Sequence, residues 1–287
     1  MIKSFFNISD LSNNLLIDII KNNTPSTNIE NLNIGCLYEK PSTRTRISFA
    51  TGINLLKGNS IDLKLDELNF SREESLKDTF RAFGIYLDGL VYRTSDHNRL
   101  ILASEYMNKP VINALSNKSH PCQTLADLIT LYEKFNTLNL KISWFGDINN
   151  VLFSLFEACK KIEEISLNIF TPIELIKNCN WNLPANVKFY EKINNDVIKN
   201  SDCIMTDVFL SMNDKSDLSK ISVLNAFQVN KSIMDLTKDK AVFMHCLPAK
   251  IGYEVTQDVI EGDKSIVWKQ AFNRLPAQMR LLKCINW

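Results

Sequence analysis

Short apolar runs rich in β-branched residues alternate along the chain with longer stretches of helical periodicity. Runs such as ISWFG, IMTDV and VFMHC are apolar at most positions, which is typical of strands covered on both faces. The pattern predicts nine strands, at Ile34–Tyr38, Ser60–Leu65, Gly89–Arg93, Val111–Leu115, Ile142–Gly146, Leu167–Phe170, Val187–Tyr190, Cys203–Val208 and Ala241–Cys246. It predicts helices at Ser12–Lys21, Thr43–Leu56, Glu73–Tyr86, Arg99–Met107, Gln123–Phe135, Val151–Ile162 and Asn194–Lys199. Strand, helix and strand at this spacing indicate parallel sheets with crossover helices.

The predicted strands fall into two groups, four before residues 136–140 and five after them. The stretch FNTLNL in this region is the best linker candidate, and a chain of 287 residues is long enough for about two domains. We therefore expect an α/β fold of two doubly wound parallel-sheet domains, residues 1–135 and residues 136–271. Ligands of such folds bind at the carboxyl ends of the strands, so the strand ends are where candidate chemistry is expected.

Composition and charge exclude several classes of protein. The 33 Lys and Arg residues nearly balance the 32 Asp and Glu residues, which argues against a general nucleic-acid-binding protein. The seven cysteines are an odd number without a C-x-x-C pair, so a disulfide framework and a structural zinc site both fit poorly. The first residues lack the pattern of a secretory signal, and no apolar stretch is long enough to span a bilayer. We expect a soluble cytoplasmic protein with reduced thiols and no membrane partner.

The first candidate site is the segment STRTR at Ser42–Arg46, which follows the first predicted strand. Pro41 stops the strand, and Ser42 is suited to cap the next helix. A helix start offers backbone N–H groups and a positive dipole, and both favour a bound phosphate. The hydroxyls and the Arg44 guanidinium add donors for phosphate oxygens. The alternative is an ordinary capped helix with solvated arginines, and Arg46 is the better candidate for a structural role.

Two further candidates lie in the first half of the chain. Arg93 ends the third predicted strand, where a surface arginine is the ordinary alternative. The segment HPCQ at His120–Gln123 opens a helix, and a histidine placed there near arginines should stay neutral and donate one hydrogen bond. The Gln123 amide offers a donor and an acceptor, which suits a carbamoyl or amide group. The alternative for this segment is a helix cap with a packed histidine.

Three segments in the second half end predicted strands. GDINN at Gly146–Asn150 lacks the G-x-G-x-x-G spacing, which excludes nicotinamide binding, and its asparagines fit a simple turn equally well. Asp207 is placed to hold an ammonium group near the hydroxyl of Ser211, although an ordinary turn is equally compatible. HCLP at His245–Pro248 places Cys246 at a strand end, where it is a nucleophile, a site-lining thiol or an inert packing residue.

Taken together, these segments resemble the aspartate/ornithine carbamoyltransferase family. The matching stretches are STRTR, HPCQ, GDINN, the D-x-x-x-S-M stretch at Asp207–Met212 and HCLP, in the family's order over nearly the whole chain. STRTR with HPCQ is specific for carbamoyl transfer, whereas D-x-x-x-S-M and HCLP favour ornithine over aspartate as the acceptor. The resemblance also implies that a C-terminal helix, residues 272–287, packs back on the first domain.

The resemblance implies a role for each matched residue. The phosphate of carbamoyl phosphate would be held by Ser42, Thr43, Arg44 and Thr45, with Arg93 and Arg274 in support. The carbamoyl oxygen would be bound by Arg93, Thr45 and His120, and the carbamoyl NH₂ by Gln123 and the Leu247 carbonyl. Ornithine would be bound by Asn150, Asp207, Ser211 and Met212, with Cys246 near its side-chain amine. The implied catalytic set is Arg93, His120, Gln123 and Cys246, without a metal or an organic cofactor.

The implied reaction converts carbamoyl phosphate and L-ornithine to L-citrulline and phosphate. The open alternatives are another acceptor, such as aspartate, an N-acylated ornithine or putrescine, and a non-catalytic paralogue that binds phosphate ligands. The sequence departs from the family pattern at several positions around the acceptor side, and these departures leave the preferred acceptor amine open. They are Asn213, Ile251, Tyr253, Phe272 and Phe153. Family members are trimers with shared sites, which implies a homotrimer in which Ser71 and Arg72 reach towards a neighbouring subunit.

Overall fold

The computed structural model describes residues 1–24, 27–68, 74–210 and 218–287. The strands of this part of the chain are β1 (Asn33–Tyr38), β2 (Asn59–Leu63), β3 (Gly89–Arg93), β4 (Val111–Leu115), β5 (Lys141–Phe145), β6 (Ser166–Phe170), β7 (Val187–Tyr190), β8 (Cys203–Thr206) and β9 (Val242–His245). Its helices are α1 (Asn13–Lys21), α2 (Thr43–Leu55), α3 (Leu76–Tyr86), α4 (Asn98–Met107), α5 (Pro121–Phe135), α6 (Asn150–Lys161), α7 (Ile173–Lys177), α8 (Asn195–Lys199), α9 (Leu218–Leu224), α10 (Lys231–Leu236), α11 (Gln257–Ile260), α12 (Val267–Phe272) and α13 (Arg274–Leu282). The chain divides into two compact units, which are Met1–Ile129 with Phe272–Trp287 (unit 1) and Thr130–Ala271 (unit 2).

Unit 1 is built on a parallel sheet whose described strands have the order β2-β1-β3-β4. The chain winds in opposite directions from β1, so β1 and β3 are neighbours, and Tyr38 at the end of β1 pairs with Arg93 at the end of β3. The segments that follow these two strands therefore begin side by side at the carboxyl edge of the sheet, where ligands bind in doubly wound folds. Helix α13 packs against α2, which returns the end of the chain to this unit.

The packing of α3 and α4 completes one side of unit 1. Phe80 of α3 contacts Tyr92 of β3 edge to face, with ring centroids 6.0 Å apart. Helix α3 approaches the end of α4 so closely at Gly84 that a Cβ atom there would collide with the backbone of Met107. Glycine at this position therefore allows the close helix packing that buries Phe80.

Unit 2 is built on a second parallel sheet, with the order β7-β6-β5-β8-β9 among the described strands. Here the winding direction changes between β5 and β8, and Phe145 at the end of β5 pairs with Thr206 at the end of β8. Thr206 also pairs with His245 at the end of β9. The residues after these three strands therefore leave the sheet at neighbouring points of its carboxyl edge.

The predicted fold class is confirmed, because both described sheets are parallel, helices surround them and α13 packs back on unit 1. Val208 and Cys246 were predicted to end strands, but they lie beyond β8 and β9, where the chain already turns away. Glu73 lies outside the described residues, and α3 begins at Leu76. The pattern missed α7 and α9 to α12, which at 4–7 residues are too short to show a helical period. Among the described helices, none combines the length and apolar character that a bilayer crossing needs.

An aromatic stack in unit 2 makes a testable contribution to its stability. Phe170 is fully buried, and its ring stacks on those of Phe145 at 4.7 Å and Tyr190 at 5.0 Å. We expect Phe170→Leu to lower the free energy of unfolding by about 1–3 kcal/mol, because two ring contacts of about 0.5–1.5 kcal/mol each are lost. Urea denaturation followed by circular dichroism measures the change. Trp268→Ala, at a side chain that is 69% exposed, should lower the free energy of unfolding by less than about 0.5 kcal/mol. A loss as large as that of Phe170→Leu would contradict the contribution assigned to the aromatic stack.

Candidate active site

The start of α2 forms one part of the candidate site in unit 1. The first N–H groups of any helix have no acceptor within it, so they are available to an anion. Ser42 stands at the N-cap position, but its hydroxyl makes no capping hydrogen bond within the described part of the chain. The expected side-chain cap is therefore wrong, although Ser42 does occupy the N-cap position. Thr43 is exposed, whereas Thr45 is 3% exposed and faces inward.

The two arginines of the STRTR segment differ in their surroundings. Arg46 forms an ion pair with Asp62 and lies over the ring of Tyr38, 5.8 Å from its centroid. The expected structural role of Arg46 is thus confirmed, since its charge is engaged at the β2 edge. Arg44 is half-buried beside the helix start, and its assignment to the phosphate remains a prediction.

Arg274 brings the STRTR and HPCQ segments together. Its NH1 group donates to Gln123 Oε1 at 2.6 Å, and its NH2 group donates to Thr45 Oγ1 at 3.1 Å. The Gln123 Nε2 group donates to the buried carboxylate of Asp127 at 2.8 Å. An arginine can only donate and a carboxylate can only accept, so these partners fix which end of the Gln123 amide is oxygen. The amide oxygen faces Arg274, with a second lone pair for a further N–H donor.

His120 lies close enough to Arg274 and Arg93 for the charges of both to act on its imidazole. Arg93 ends β3 at a shift of register between Tyr92 and Arg93, an irregularity of the kind that re-aims a side chain at a strand end. Both residues are buried, with 5% of His120 and 6% of Arg93 exposed. Burial, followed by the charges of Arg274 and Arg93, holds the pKa of His120 well below its ordinary value of 6.5. This direction is consistent with the neutral imidazole expected from the sequence.

The low pKa of His120 predicts a loss of stability in mild acid. In the unfolded chain the imidazole takes up a proton near pH 6.5, whereas in the folded chain it stays neutral to lower pH. The unfolded state therefore binds more protons below pH 6.5, and stability falls as the pH falls, by up to about 1.4 kcal/mol per pH unit per histidine. Urea midpoints measured between pH 7.5 and about pH 5 should show this slope.

His97 provides the internal comparison for that measurement. Burial, then the charge of Lys118, lowers the pKa of His97 as well, so both histidines contribute with the same sign. In His120→Gln the free energy of unfolding should fall less steeply with decreasing pH below 6.5, because only the contribution of His97 remains. An unchanged slope in His120→Gln would show that this imidazole is not held neutral by the fold.

A further carboxylate in unit 1 was not singled out from the sequence. Glu39 follows β1 directly and accepts hydrogen bonds from Tyr92, Thr94, Ser95 and Arg99. Burial alone would raise the pKa of Glu39, but these hydrogen bonds, that of Tyr92 first, outweigh it and lower the pKa below 4.5. The Glu39 N–H also donates to the Arg93 carbonyl at 3.0 Å. The ionised carboxylate therefore fixes the two strand ends that carry STRTR and Arg93, and only its position after a strand signals it in the sequence.

The candidate residues of unit 2 centre on Asp207. Its Oδ1 accepts from the Cys246 thiol at 3.0 Å, and its Oδ2 accepts from Asn149 Nδ2 at 2.8 Å. This contact with Asn149 was not anticipated from the sequence, and the Asn149 Oδ1 also caps α6. Asn150 is the first residue of α6 and is half-buried. The turn that precedes it needs Gly146, whose φ of +114° disfavours any residue with a side chain.

Part of the predicted acceptor site cannot be placed. Ser211 and Met212, with the departure Asn213, lie outside the described residues, as do Ser71 and Arg72. Helix α9 begins directly after residues 211–217. Lys220 of this helix donates to the buried carboxylate of Asp147 at 2.8 Å. The ion pair joins the start of α9 to the GDINN turn. Three other departures are exposed, with Ile251 at 42%, Tyr253 at 46% and Phe272 at 63%, whereas Phe153 is half-buried.

Three potential metal ligands lie together in unit 2. The ligand atoms of Asp207, His245 and Cys246 are within 4.8 Å of one another. His245, however, engages both ring nitrogens, because Nδ1 accepts from the Leu247 N–H at 2.9 Å and Nε2 lies 3.1 Å from Glu254 Oε1. A metal ion bound to His245 would have to displace one of these contacts. The other two ligands are fewer than the three that a zinc site requires, so the set fits a metal poorly.

The family comparisons cover nearly the whole chain. The model described as aspartate/ornithine carbamoyltransferase, carbamoyl-P binding domain, matches residues 3–133. The model described as aspartate/ornithine carbamoyltransferase, Asp/Orn binding domain, matches residues 138–285. The ornithine carbamoyltransferase of Methanococcus aeolicus is 39% identical, over 95% of this chain and 94% of that protein. The one from Rhodopseudomonas palustris is 38% identical, over 88% of this chain and 83% of that protein.

Solved structures agree with the sequence comparisons. The ornithine carbamoyltransferase from Pyrococcus furiosus matches with a TM-score of 0.86 and 33% identity, over 99% of this chain and 96% of that one. The one from Gloeobacter violaceus matches with a TM-score of 0.83 and 30% identity, over 99% and 98% of the two chains. The resemblance stated from STRTR, HPCQ and HCLP is confirmed. The chain belongs to the aspartate/ornithine carbamoyltransferase family.

Proposed function

We propose that this enzyme transfers the carbamoyl group of carbamoyl phosphate to the side-chain amine of L-ornithine, giving L-citrulline and phosphate for arginine biosynthesis. The observation that carries the proposal is the Arg274 guanidinium, which joins Thr45 of the helix start to Gln123 of the HPCQ segment. The link supports the proposal because we assign Thr45 to the phosphate and Gln123 to the carbamoyl NH₂, which are neighbouring groups of carbamoyl phosphate. The names of the similar proteins support ornithine as the acceptor.

Residues 1–135 with 272–287 form the proposed domain for carbamoyl phosphate. The phosphate is bound by the N–H groups at the start of α2 and by Ser42, Thr43, Arg44 and Thr45, with Arg93 and Arg274 adding charge. Arg93, Thr45 and neutral His120 donate to the carbamoyl oxygen. The oxygen of Gln123 accepts from the carbamoyl NH₂, and its orientation towards Arg274 is set by Asp127. The donor is therefore recognised at each of its polar groups.

Residues 136–271 form the proposed domain for ornithine. Asp207 binds the α-ammonium group, since its carboxylate is buried and already oriented by Asn149 and Cys246. Asn150, Ser211 and Met212 complete the contacts to the amino-acid end. Cys246 lines the position of the side-chain amine, and the Leu247 carbonyl accepts from the carbamoyl NH₂. In this assignment the Cys246 thiol positions substrate and forms no covalent intermediate.

The chemistry is a direct displacement at the carbamoyl carbon. The neutral side-chain amine forms the new C–N bond, and the C–O bond to phosphate breaks. Phosphate leaves with that electron pair and takes up the proton that the nitrogen loses, so it is released as hydrogen phosphate. Negative charge grows on the carbonyl oxygen, where Arg93, Thr45 and His120 donate. One such preorganised donor is worth about 3–4 kcal/mol. An alkyl amine has a pKa of about 10, so the rate should rise with pH as the neutral amine becomes available.

One assay tests the proposed activity and its alternatives. Carbamoyl phosphate is supplied with L-ornithine, L-aspartate, an N-acylated ornithine or putrescine, and the ureido product and phosphate are both measured. We expect equal amounts of citrulline and phosphate with ornithine and only background with the other amines. Turnover with a different amine would reassign the acceptor. Binding of carbamoyl phosphate without turnover of any amine would identify a non-catalytic paralogue.

We propose further that the enzyme works as a cytoplasmic homotrimer with sites at the subunit interfaces. Apolar side chains exposed on unit 1 favour an oligomer, and they include Ile47, Leu55, Ile85 and Tyr86. Their exposed fractions are 60%, 60%, 75% and 74%, which is high for large apolar residues. Light scattering coupled to gel filtration should give about three times the chain mass of 32.9 kDa. A monomer at assay concentration would contradict the assembly and leave the activity to be judged separately.

A further inference from the structure

The loop after β9 is held in an unusual backbone conformation. Leu247 has a φ of +58°, which is uncommon for a residue other than glycine. Such a conformation persists only where the surrounding structure enforces it, and it often marks a functional position. The side chain of Leu247 packs against the hydrophobic core of unit 2, and polar groups of His245 hold the backbone of the same loop.

His245 supplies that constraint through three of its atoms. Its backbone N–H donates to Gln270 Oε1 at 2.9 Å, which fixes the end of β9. Its Nδ1 accepts from the Leu247 N–H at 2.9 Å, which holds the left-handed turn in place. Its Nε2 lies 3.1 Å from Glu254 Oε1. The imidazole is fully buried, so no bulk water competes for these contacts.

The contact with Leu247 determines where the proton of His245 resides. A backbone N–H can only donate, so Nδ1 is an acceptor and the proton of the neutral ring is on Nε2. Nε2 therefore donates to Glu254 Oε1, and the same oxygen accepts from the Lys250 N–H at 2.6 Å. Glu254 is also fully buried. Without its carboxylate, a proton on Nδ1 would face the Leu247 N–H donor, and the turn would lose the hydrogen bond that maintains it.

We infer that Glu254 is a positioning residue for carbamoyl transfer, which acts by fixing the tautomer of His245 and through it the backbone of Leu247. The inference rests on the proposed function, in which the Leu247 carbonyl binds the carbamoyl NH₂ and Cys246 lines the amine. Glu254 and His245 are not themselves substrate contacts in that assignment. Their effect is on the geometry of the two residues that are.

Two substitutions of similar size separate positioning from simple folding. Glu254→Gln retains an oxygen that accepts from His245 and Lys250, whereas Glu254→Met retains the volume without an acceptor. We expect Glu254→Met to lower kcat by about 10–100-fold, by analogy with the carboxylates that orient metal-bound histidines, with KM for both substrates changed less than about threefold. Glu254→Gln should stay within about threefold of the wild-type kcat. Circular dichroism and thermal midpoints measure the folded fraction of each variant.

Gln228→Ala is the matched control for a general loosening of the loop. Gln228 Nε2 donates to the carbonyls of Gly252 and Tyr253 at 2.8 and 2.9 Å, so this variant removes hydrogen bonds from the same loop without touching His245. Its kcat should remain within about twofold of wild type. If Glu254→Met does not fold, Glu254→Asp gives the same test, because the shortened carboxylate no longer reaches His245 and kcat should fall at constant KM.

Three results would overturn the inference. The first is a wild-type kcat in folded Glu254→Met, or in Glu254→Asp if Glu254→Met does not fold. The second is an equal loss of kcat in Glu254→Gln and Glu254→Met, and the third is a loss in Gln228→Ala as large as theirs. Failure of the proposed function is seen separately, because the wild-type enzyme would then form no citrulline from carbamoyl phosphate and ornithine, and the inference would fall with it.

Discussion

Replacing Arg274 by alanine should lower kcat/KM for carbamoyl phosphate by about a thousandfold, the upper range for loss of one preorganised donor. The side chain is 3% exposed and donates to Thr45 and Gln123 at once. Its removal takes a buried cation from the proposed phosphate site and frees the Gln123 amide from the partner that orients its oxygen. Thr45 loses its donor in the same step, so the helix start and the carbamoyl contacts are disturbed together. Initial rates at varied carbamoyl phosphate, with calorimetric titration of the same ligand, measure the effect.

Two further variants show whether the loss belongs to the site. Arg280 is on the same helix, but its NH1 group donates to the carbonyls of Ile19 and Ile20, so Arg280→Ala should affect stability and leave kcat/KM nearly unchanged. Arg274→Lys should restore little, because an ammonium group lacks the planar fork that reaches two acceptors in fixed directions. A folded Arg274→Ala that binds carbamoyl phosphate normally would remove this residue from the proposed site.

The fold was predictable from the sequence where it depends on short-range pattern. Strands such as β8 and β9 are nearly continuous apolar runs, because helices cover both faces of a parallel sheet, and this made them visible. Short helices such as α11, with four residues, carry no period and were missed. The ends of elements were also uncertain, since Val208 and Cys246 continue the apolar pattern after the last ladder hydrogen bond. Pattern alone does not say where pairing stops.

The candidate site was predictable only in part, because much of it is made by contacts between distant segments. STRTR and HPCQ were found as local motifs, whereas Arg274 was assigned to the phosphate only through the family resemblance. Its bond to Gln123, 151 positions away in the sequence, was not predicted. Glu39 and Glu254 were missed for the same reason, since their partners are brought to them by strand order and by a loop that folds back. The bond from Asn149 to Asp207 was also not anticipated, because it joins the cap of α6 to the end of β8, and the assignment of Asn150 to ornithine stays a prediction.

Asp207→Asn should lower kcat/KM for ornithine by about a hundredfold or more, with the affinity for carbamoyl phosphate unchanged. The carboxylate is 6% exposed, and Asn149 and the Cys246 thiol donate to its two oxygens. An amide at this position removes the charge that balances the α-ammonium of ornithine and also presents N–H groups to Asn149 or Cys246. Loss of a buried charged partner costs about 3 kcal/mol or more, and each 1.4 kcal/mol is about tenfold. Initial rates at varied ornithine, with carbamoyl phosphate saturating, give the change.

Asp202→Asn is the matched control, because Asp202 and Asp207 flank the same strand at opposite ends. Asp202 pairs with Lys238 at 2.6 Å and accepts from the Lys141 N–H at 2.8 Å, at the amino end of β8, away from the carboxyl edge. Its substitution should cost some stability and leave KM for ornithine within about twofold. If Asp207→Asn is folded and keeps the wild-type KM for ornithine, the α-ammonium is bound elsewhere. The buried carboxylate would then serve to hold Asn149 and the Cys246 thiol in place, and the acceptor assignment of unit 2 would have to rest on the GDINN turn instead.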